Sequence, residues 1–438
     1  MKKYIKKALL FTAFIALLYG AVRLIDITYS SYVFVEREPY MVMQTNNSIT
    51  IKWQSPKEEM GEVKYGLSKE AKNATLADTK ITDKHSLTIS NLNECTKYFY
   101  SVESPSMEID NEERSFTTLC QNAESQKLWL IGDSGKEGKD QTKVYKEMLK
   151  YIGDDLNNLG MWILLGDNAY TSGTQKEYNE GLFEPYKDLV KKFVPWAIIG
   201  NHDARRWAFY NIWDFPTKGE SGGVASGHEE FYSINNGNLH LVMLDSETVN
   251  RSSDGAMASW LREDLKANTK PWVIVAFHTP PYTDGGHKSD SDYDSGGRLK
   301  EMRENFVPIF DEFGVDLVVS GHSHDYERSK LLVAHTGKSD TFDVKKHVLQ
   351  DNSTCYTKPL KATKNSGTIY QVCGSSSKLD KAELKHPAMP FSFETMGSLI
   401  LEITPTTLTS KFLTIDGKIA DQFSINKDSS TCQQEKTK

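Results

Sequence analysis

Five short apolar runs in the last two thirds of the chain most constrain how it can fold, because each one ends in side chains that can bind a metal ion. A short apolar run that stops at glycine is typical of a buried strand. Helical stretches such as residues 298–313 lie between the runs, which predicts an α/β or α+β layered domain. The runs and the residues that follow them are 128–131 before Gly132-Asp133-Ser134-Gly135, 161–165 before Gly166-Asp167-Asn168-Ala169-Tyr170, 194–199 before Gly200-Asn201-His202-Asp203, 272–277 before His278, and 315–319 before Ser320-Gly321-His322-Ser323-His324.

These strand ends predict a shared metal site. Loops that follow neighbouring parallel strands meet at the carboxyl edge of a sheet, where α/β folds place their sites. Carboxylates, an amide, a phenol and imidazoles are donors suited to Fe, Zn or Mn. The set is too rich for one ion, and two ions bridged by a carboxylate can clamp a phosphate for in-line displacement. Taken alone, an aspartate after a strand is more often a turn residue, and one structural metal is the simpler alternative.

The front part of the chain shows a different pattern. Between residues 32 and 120 several short segments alternate apolar and polar side chains, which is typical of an antiparallel β-sandwich. The segments are 49–53, 62–66, 85–89, 98–102 and 114–118. Trp53 and Tyr98 are interpreted as core residues, and the segment contains no catalytic cluster, so a supporting role is predicted.

The amino terminus predicts export from the cytosol. Lysines in the first seven residues precede an apolar run from Ala8 to Val22, which is the charge order of a signal peptide. The run is short for a spanning helix and is closed by Arg23, yet it lacks a small-x-small cleavage site. Both a cleaved signal and an uncleaved anchor over residues 8–25 with its basic end inside remain open.

Cysteine usage and charge agree with an exported protein that does not bind nucleic acid. Cys95 and Cys120 bracket one hairpin, Cys355 and Cys373 bracket a second candidate pair, and Cys432 is left in the tail. Bridges are the natural interpretation outside the cytosol, and buried reduced thiols are the alternative. The formal charge of −7 with no long basic run argues against a nucleic-acid partner.

In their order and content, the five strand-end motifs resemble the five blocks of the calcineurin-like metallophosphoesterases. Tyr170 in the second motif is the mark of the purple acid phosphatases, and residues 48–53 and 63–68 are similar to that family's fibronectin-like amino-terminal domain. The resemblance implies an α/β (α+β four-layer) domain with two packed mixed sheets flanked by helices, preceded by an antiparallel β-sandwich. The expected divisions are a signal peptide or membrane anchor at 1–31, the sandwich at 32–121, the catalytic domain at 126–415 and a disordered tail at 426–438.

The resemblance also implies a role for each site residue. Asp133, Tyr170 and His324 would hold a first metal, expected to be Fe3+, and Asp167 would bridge both metals. Asn201, His278 and His322 would hold a second, divalent ion, which is expected to be Fe2+, Zn2+ or Mn2+. Asn201, His202 and His287 would contact the substrate, with His202 as general acid and Asp203 orienting it. His228 and His240 are interpreted as a solvated loop residue and a structural residue.

The expected function is an acid phosphatase of the purple acid phosphatase type, which hydrolyses small-molecule phosphomonoesters by direct attack of a metal-bound hydroxide on phosphorus. A phosphodiesterase or nucleotidase with the same centre is the alternative within enzymes. The alternative of another class is a decayed cell-surface binding protein, although every ligand position is filled. The protein is expected to be secreted, periplasmic or anchored at the outer face of a membrane.

Overall fold

The structure is a computed structural model that describes residues 2–110, 112–428 and 432. It begins with one long helix, α1, at Lys2–Tyr32. The strands that follow form two antiparallel sheets, in the orders β1-β2-β5 and β4-β3-β6-β7. These strands are β1 Arg37–Val42, β2 Ile49–Glu59, β3 Glu62–Gly66, β4 Ala74–Ala77, β5 Thr82–Ile89, β6 Lys97–Glu103 and β7 Arg114–Thr117.

The front sheets confirm the predicted antiparallel β-sandwich. Along β6 the side chains of Tyr98, Tyr100 and Val102 are buried while their neighbours are more exposed, as expected when every second side chain faces a core. Trp53 on the other sheet belongs to the same buried cluster. Strands β1 and β4 were not predicted from the sequence, and the alternating side chains of β4 are half-buried or exposed.

From Gln126 onward strands and helices alternate as predicted. The elements in chain order are β8 Gln126–Ile131, α2 Lys139–Tyr151, β9 Met161–Leu164, α3 Gln175–Tyr178, α4 Lys187–Val190, β10 Pro195–Ala197, α5 Ala208–Ile212, β11 Tyr232–Asn236, β12 Leu239–Met243, α6 Ala256–Ala267, β13 Trp272–Ala276, α7 Arg298–Phe313, β14 Leu317–Ser320, β15 Tyr326–Arg328, β16 Leu331–Leu332, α8 Val344–His347, β17 Val348–Gln350, β18 Cys355–Thr357, β19 Ile369–Cys373, β20 Phe391–Phe393, β21 Gly397–Ile403, β22 Thr407–Thr414 and β23 Ile419–Asn426.

Two seven-stranded mixed sheets form the body of this part, in the orders β10-β9-β8-β21-β22-β23-β18 and β11-β12-β13-β14-β19-β15-β20. Strands β8, β9 and β10 are parallel in the first sheet, and β12, β13, β14 and β19 are parallel in the second. The strands that carry the motifs are therefore the parallel ones. Their carboxyl ends face the same way within each sheet, which brings the motif loops to one edge.

Alternation along β13 shows how the layers stack. Ile274 and Ala276 belong to the core shared with the first sheet, whereas Val273 and Val275 pack into a second cluster with residues of α6 and α7. Helix α7 has the bounds that the apolar spacing predicts, and it buries Met302 and other residues of one face. The arrangement is a pair of packed mixed sheets flanked by helices, which confirms the predicted fold class.

The carboxyl-terminal part differs from the sequence expectation. Strand β23 belongs to the first sheet up to Asn426, beyond the expected end of the catalytic domain at residue 415. Of the expected tail at 426–438, residues 426–428 and 432 are described, and the others lie outside the described residues.

The disulfides confirm one predicted pair and correct the other. Cys95 and Cys120 are bonded, whereas Cys355 is bonded to Cys432 and Cys373 is a buried free thiol. The predicted pair of Cys355 with Cys373 is wrong, because Cys355 lies on the edge strand of the first sheet and Cys373 lies on an inner strand of the second. Spacing along the chain does not reveal that separation.

The amino-terminal helix is longer than the apolar run predicted. It continues past Arg23, and its segment Leu9–Tyr32 is long and apolar enough to cross a membrane, with a mean hydropathy of 1.9. None of the most apolar window of this segment is buried against the rest of the chain. The helix contacts short helices α3 and α5, and its carboxyl end is also hydrogen-bonded to Arg206 and Trp207 in the loop before α5.

Candidate metal centre

Glycines at the strand ends let the motif loops approach each other closely. A side chain at Gly200 would lie 2.2 Å from the backbone nitrogen of Asp167, and one at Gly166 would lie 2.4 Å from Nδ1 of His278. Gly166 also has a positive φ, as do Asp133, Asp167 and His322. Non-glycine residues in this region are uncommon and cluster at functional sites. The backbone is thus shaped so that adjacent loops direct their polar side chains into one space.

Three predicted ligands of the first metal form a compact group. The hydroxyl of Tyr170 lies 3.1 Å from Oδ1 of Asp133 and 3.3 Å from Nε2 of His324. Nε2 of His324 lies 3.3 Å from the same Asp133 oxygen. A phenol, a carboxylate and an imidazole therefore present one donor atom each to a common point.

The predicted ligands of the second metal lie beside this group, with Asp167 next to both. Nε2 of His278 lies 3.2 Å from Oδ1 of Asn201 and 3.5 Å from Oδ1 of Asp167. The rings of His278 and His322 have centroids 4.9 Å apart. Donor atoms of Asp133, Asp167 and His278 all lie within 4.8 Å of one another. The structure thus brings together all seven residues that were predicted as ligands.

Two of the three candidate histidine ligands are oriented by a hydrogen bond from Nδ1, the ring nitrogen that faces away from the cluster. Nδ1 of His278 donates to the carbonyl of Leu165 at 2.8 Å, which leaves Nε2 facing the cluster. Nδ1 of His324 donates to the carboxylate of Asp380 at 2.5 Å. Metal-binding histidines in proteins are held in this way, which fixes the tautomer and the ring direction.

His322 has the opposite orientation. Its Nε2 is hydrogen-bonded to the hydroxyl of Ser295 at 2.6 Å, so Nδ1 is the nitrogen left for a metal. Its backbone nitrogen also donates to Oδ2 of Asp133 at 2.7 Å.

The three imidazoles, two carboxylates, one phenol and one amide suit Fe, Zn or Mn ions, so the residues present fit a pair of such ions.

Burial and the repulsion between neighbouring carboxylates disfavour negative charge on Asp167 and Tyr170 when no cation is bound. Burial raises the pKa of Asp167, and the neighbouring charge of Asp133 adds to that effect. Burial and the same two carboxylates raise the pKa of Tyr170 well above its usual value. The pKa of His278 is raised to about 9, because the carboxylates outweigh its burial. Buried like charges are tolerated when a positive charge compensates them, which bound metal ions would do.

His202 lies at the rim of the cluster, and the structure corrects how it is oriented. Its Nδ1 donates to the carbonyl of Thr171 at 2.6 Å, and its Nε2 lies 3.8 Å from Oδ2 of Asp167. The prediction that Asp203 orients His202 is wrong. Asp203 is fully buried and accepts hydrogen bonds from the backbone of Gly200, from Asn168 and from the Tyr178 hydroxyl.

Asp203 instead supports the second and third motif loops from behind. Burial raises the pKa of Asp203 to about 7, and the charge of Asp167 contributes. Because its side chain joins the loop after β9 to the loop after β10, its contribution is structural. From the sequence alone, an aspartate directly after a histidine could either orient that histidine or support the neighbouring loops.

His287 contacts the cluster from the loop after β13. Its ring stacks on His322 with centroids 3.8 Å apart, and its Nδ1 bonds Asp294 at 2.8 Å. The side chain is 30% exposed, so it faces both the candidate ligand and solvent. His228 is about half exposed and His240 is buried against Asp264, in agreement with their interpretation as a solvated loop residue and a structural residue.

Four residues that support the site were not identified from the sequence. Asp380 is hydrogen-bonded to His324, Ser295 to His322 and Thr171 to His202. Tyr178 donates a hydrogen bond to Asp203. Asp380 lies far along the chain from His324, so no local spacing could have pointed to it. Ser295 and Thr171 lie in loops close to predicted site residues, which is the only sequence signal they carry.

Both parts of the chain match models of known protein families. Residues 126–326 match the family model of calcineurin-like phosphoesterases, and residues 39–118 match that of the purple acid phosphatase N-terminal domain. Purple acid phosphatase 18 of Arabidopsis thaliana is 31% identical over 228 residues, which cover 48% of this chain and 46% of the relative. Purple acid phosphatase 23 of the same plant is 25% identical over 58% of this chain and 59% of the relative.

Solved structures show the same fold. The purple acid phosphatase from seeds of yellow lupin (Lupinus luteus) superposes with a TM-score of 0.69 over 90% of this chain and 74% of that chain, at 16% identity. The chain spans about half the length of the curated relatives that it matches. The two family matches, in this order along the chain, identify a calcineurin-like phosphoesterase domain preceded by a domain that matches the purple acid phosphatase N-terminal domain.

Proposed function

We propose that this chain is a binuclear-metal acid phosphatase that hydrolyses phosphomonoesters to an alcohol and inorganic phosphate. The observation that carries the proposal is the position of Asp167, whose carboxylate lies 3.5 Å from Nε2 of His278 and within 4.8 Å of a carboxylate oxygen of Asp133. A carboxylate between two ligand groups suits a bridge between two metal ions. We propose the expected ligand assignment for Asp133, Tyr170 and His324 at the first metal and for Asn201, His278 and His322 at the second.

The first metal is proposed to be Fe3+ and the second Fe2+, Zn2+ or Mn2+. A phenolate such as that of Tyr170 is a hard anionic donor that favours the ferric ion. When bound, the two ions would supply charge neutralisation for the phosphoryl group and activation of water as the nucleophile.

The side chains around the ions would position the ester and handle its proton. The amide of Asn201 and the ring of His202 border the same space, and we propose that both contact the phosphoryl oxygens. Because the Nδ1 proton of His202 is committed to the Thr171 carbonyl, Nε2 is the atom that can donate a proton to the leaving oxygen. His287 lies against His322 and is partly exposed, which suits contact with the phosphate or the leaving group.

A panel of phosphoesters tests this function. We expect the metal-loaded enzyme to hydrolyse phosphomonoesters at acidic pH faster than bis(p-nitrophenyl) phosphate and cyclic nucleotides under the same conditions. A preference for diesters would favour a phosphodiesterase, and selective hydrolysis of nucleoside monophosphates would favour a nucleotidase. Absence of turnover on every ester would support a decayed binding protein.

His202→Ala is expected to retain both metals but to slow hydrolysis of alkyl phosphates by about 10² to 10³-fold. Hydrolysis of p-nitrophenyl phosphate should fall much less, because nitrophenolate leaves without protonation. Steady-state kinetics on both esters measure the difference. The matched control is His228→Ala, which removes a half-exposed histidine elsewhere. Equal losses on both esters would remove the general-acid role.

We also propose that the chain is exported and held at the outer face of a membrane by α1. The apolar segment is preceded by lysines, which favours a cytoplasmic amino end. Disulfides between Cys95 and Cys120 and between Cys355 and Cys432 suit an oxidising compartment.

A further inference from the structure

The last turns of α1 are bound to the loop that carries His202. Arg206, which directly follows the short helical turn Asp203–Arg205, reaches back to this helix. Its Nη2 lies 2.7 Å from Oδ2 of Asp26, and its Nε donates to the hydroxyl of Ser30 at 2.7 Å. The Arg206 side chain is 7% exposed and that of Asp26 is 50% exposed, so Arg206 is held in place while one side of the ion pair faces solvent.

The contact continues to the end of the helix. Ser31 is fully buried. Its hydroxyl accepts the backbone N–H of Trp207 at 2.9 Å, and its carbonyl accepts Nε2 of Gln175 at 3.0 Å. The ring of Tyr32 lies 6.3 Å from that of Trp207. The docked segment, residues 26–32, is therefore an integral part of the catalytic domain rather than a free leader.

The other end of the same loop is part of the site. The Thr171 carbonyl accepts both Nδ1 of His202, at 2.6 Å, and Nη1 of Arg205, at 2.9 Å. Arg206 is four positions after His202, so their α-carbons are at most about 15 Å apart. His202, at the edge of the site, is thus held a short distance from Arg206, which binds the last turns of α1.

The part of α1 outside the docked segment has the dimensions of a membrane span. Residues 8–25 would extend about 27 Å as a helix, close to the hydrocarbon thickness of about 30 Å. Large apolar side chains such as Leu17 and Ile25 are 74% and 68% exposed, which water disfavours and lipid does not. The docked segment begins at Asp26, the residue directly after this span.

The surface next to that point resembles a membrane interface. Tyr29, Tyr32 and Trp207 are 68%, 49% and 48% exposed, and tyrosine and tryptophan are enriched where proteins meet lipid headgroups. Arg205 is exposed between Trp207 and His202 and would attract an anionic headgroup. His202, Arg205 and Trp207 therefore lie in a single loop, and Tyr32 at the end of α1 lies beside Trp207.

We propose that α1 is retained as an anchor and holds this edge against the bilayer, so that the enzyme acts on phosphomonoesters carried by lipids of the same membrane. This inference rests on the proposed phosphatase function. A site fixed beside the headgroup layer meets a lipid phosphate at high local concentration, whereas a soluble ester gains nothing from the anchor.

The test uses the full metal-loaded chain in phosphatidylcholine vesicles that contain phosphatidic acid, a lipid phosphomonoester. A variant with about 15 flexible Gly and Ser residues inserted between Ile25 and Asp26 keeps both the anchor and the docked segment but frees the domain from the membrane surface. The control carries the same insertion between Asp416 and Gly417, in the exposed turn between β22 and β23. Each protein is also assayed on p-nitrophenyl phosphate.

We expect the insertion after Ile25 to lower phosphatidic acid hydrolysis at least about fivefold while p-nitrophenyl phosphate hydrolysis stays unchanged. The control insertion should change neither. Equal lipid turnover in all three proteins, or hydrolysis of the soluble ester without hydrolysis of phosphatidic acid, would overturn this inference alone. Failure to hydrolyse either substrate would overturn the proposed phosphatase function and the inference with it.

Discussion

Asp167→Asn is expected to bind at most one metal ion per chain and to lose phosphomonoester hydrolysis by at least about 10³-fold, since single electrostatic contacts in active sites already contribute 10² to 10³. The asparagine has nearly the same shape, but it lacks the negative charge and one of the two oxygens that a bridge requires. Elemental analysis of the purified protein and steady-state kinetics on p-nitrophenyl phosphate measure the two effects.

The fold of this variant should be intact. One oxygen of Asp167 accepts the backbone N–H of His202 at 2.8 Å, and an asparagine oxygen can accept the same bond. Asp188→Asn, at an exposed position on α4, is the matched control and should keep both metals and full activity. Two metals per chain in Asp167→Asn, together with wild-type turnover, would remove the bridging role.

Asp316→Ala is expected to lower the free energy of unfolding by about 3 to 5 kcal/mol, the usual cost of removing one partner from a buried ion pair. Asp316 lies 3.0 Å from Nζ of Lys358 and 2.9 Å from Nζ of Lys427, and all three side chains are fully buried. Removing the carboxylate leaves two buried ammonium groups close together. Urea unfolding followed by tryptophan fluorescence measures the change.

Two further variants show whether the ion group itself is responsible. Asp351→Ala removes a carboxylate that is 72% exposed and paired with Lys330, and its effect should be a small fraction of the effect at Asp316, because exposed ion pairs contribute little. Replacing Asp316, Lys358 and Lys427 together by leucine or methionine should recover much of the stability. Equal stability of Asp316→Ala and the wild type would contradict this account.

The strands that carry the site were predictable because each has a strong local signal. Apolar runs that stop at Gly132, Gly166, Gly200 and Gly321 mark both the strand and the loop after it. The spacing of apolar side chains gave the bounds of α7 correctly. The short strand β4 was missed because its side chains are half-buried or exposed, so they form no apolar run.

Contacts between distant parts of the chain explain most of the remaining differences. The partner of Cys355 depends on which sheet each cysteine occupies, and the outer partner of His324 comes from a loop that follows β19. The apolar run ends before Arg23, but α1 continues to Tyr32, and Asp26 in this last part pairs with Arg206. Such pairs form only once the chain has folded, and local pattern does not encode them.

The same reasoning explains the misassigned role of Asp203. A carboxylate next to a histidine suggests a dyad, but the backbone turn directs the two side chains apart. His202 faces the rim and meets Thr171, while Asp203 faces the interior and meets Tyr178. Which side of a turn a residue faces depends on its packing, and the sequence alone leaves that open.

Metal stoichiometry of the wild-type protein, measured by elemental analysis alongside turnover before and after chelation, tests the central claim most directly. We predict two metal ions per chain, one of them iron with a visible charge-transfer band, and loss of phosphomonoester hydrolysis on metal removal that is restored by readdition. One ion per chain, or full turnover in a metal-free preparation, would contradict the claim that this centre is a binuclear phosphatase site.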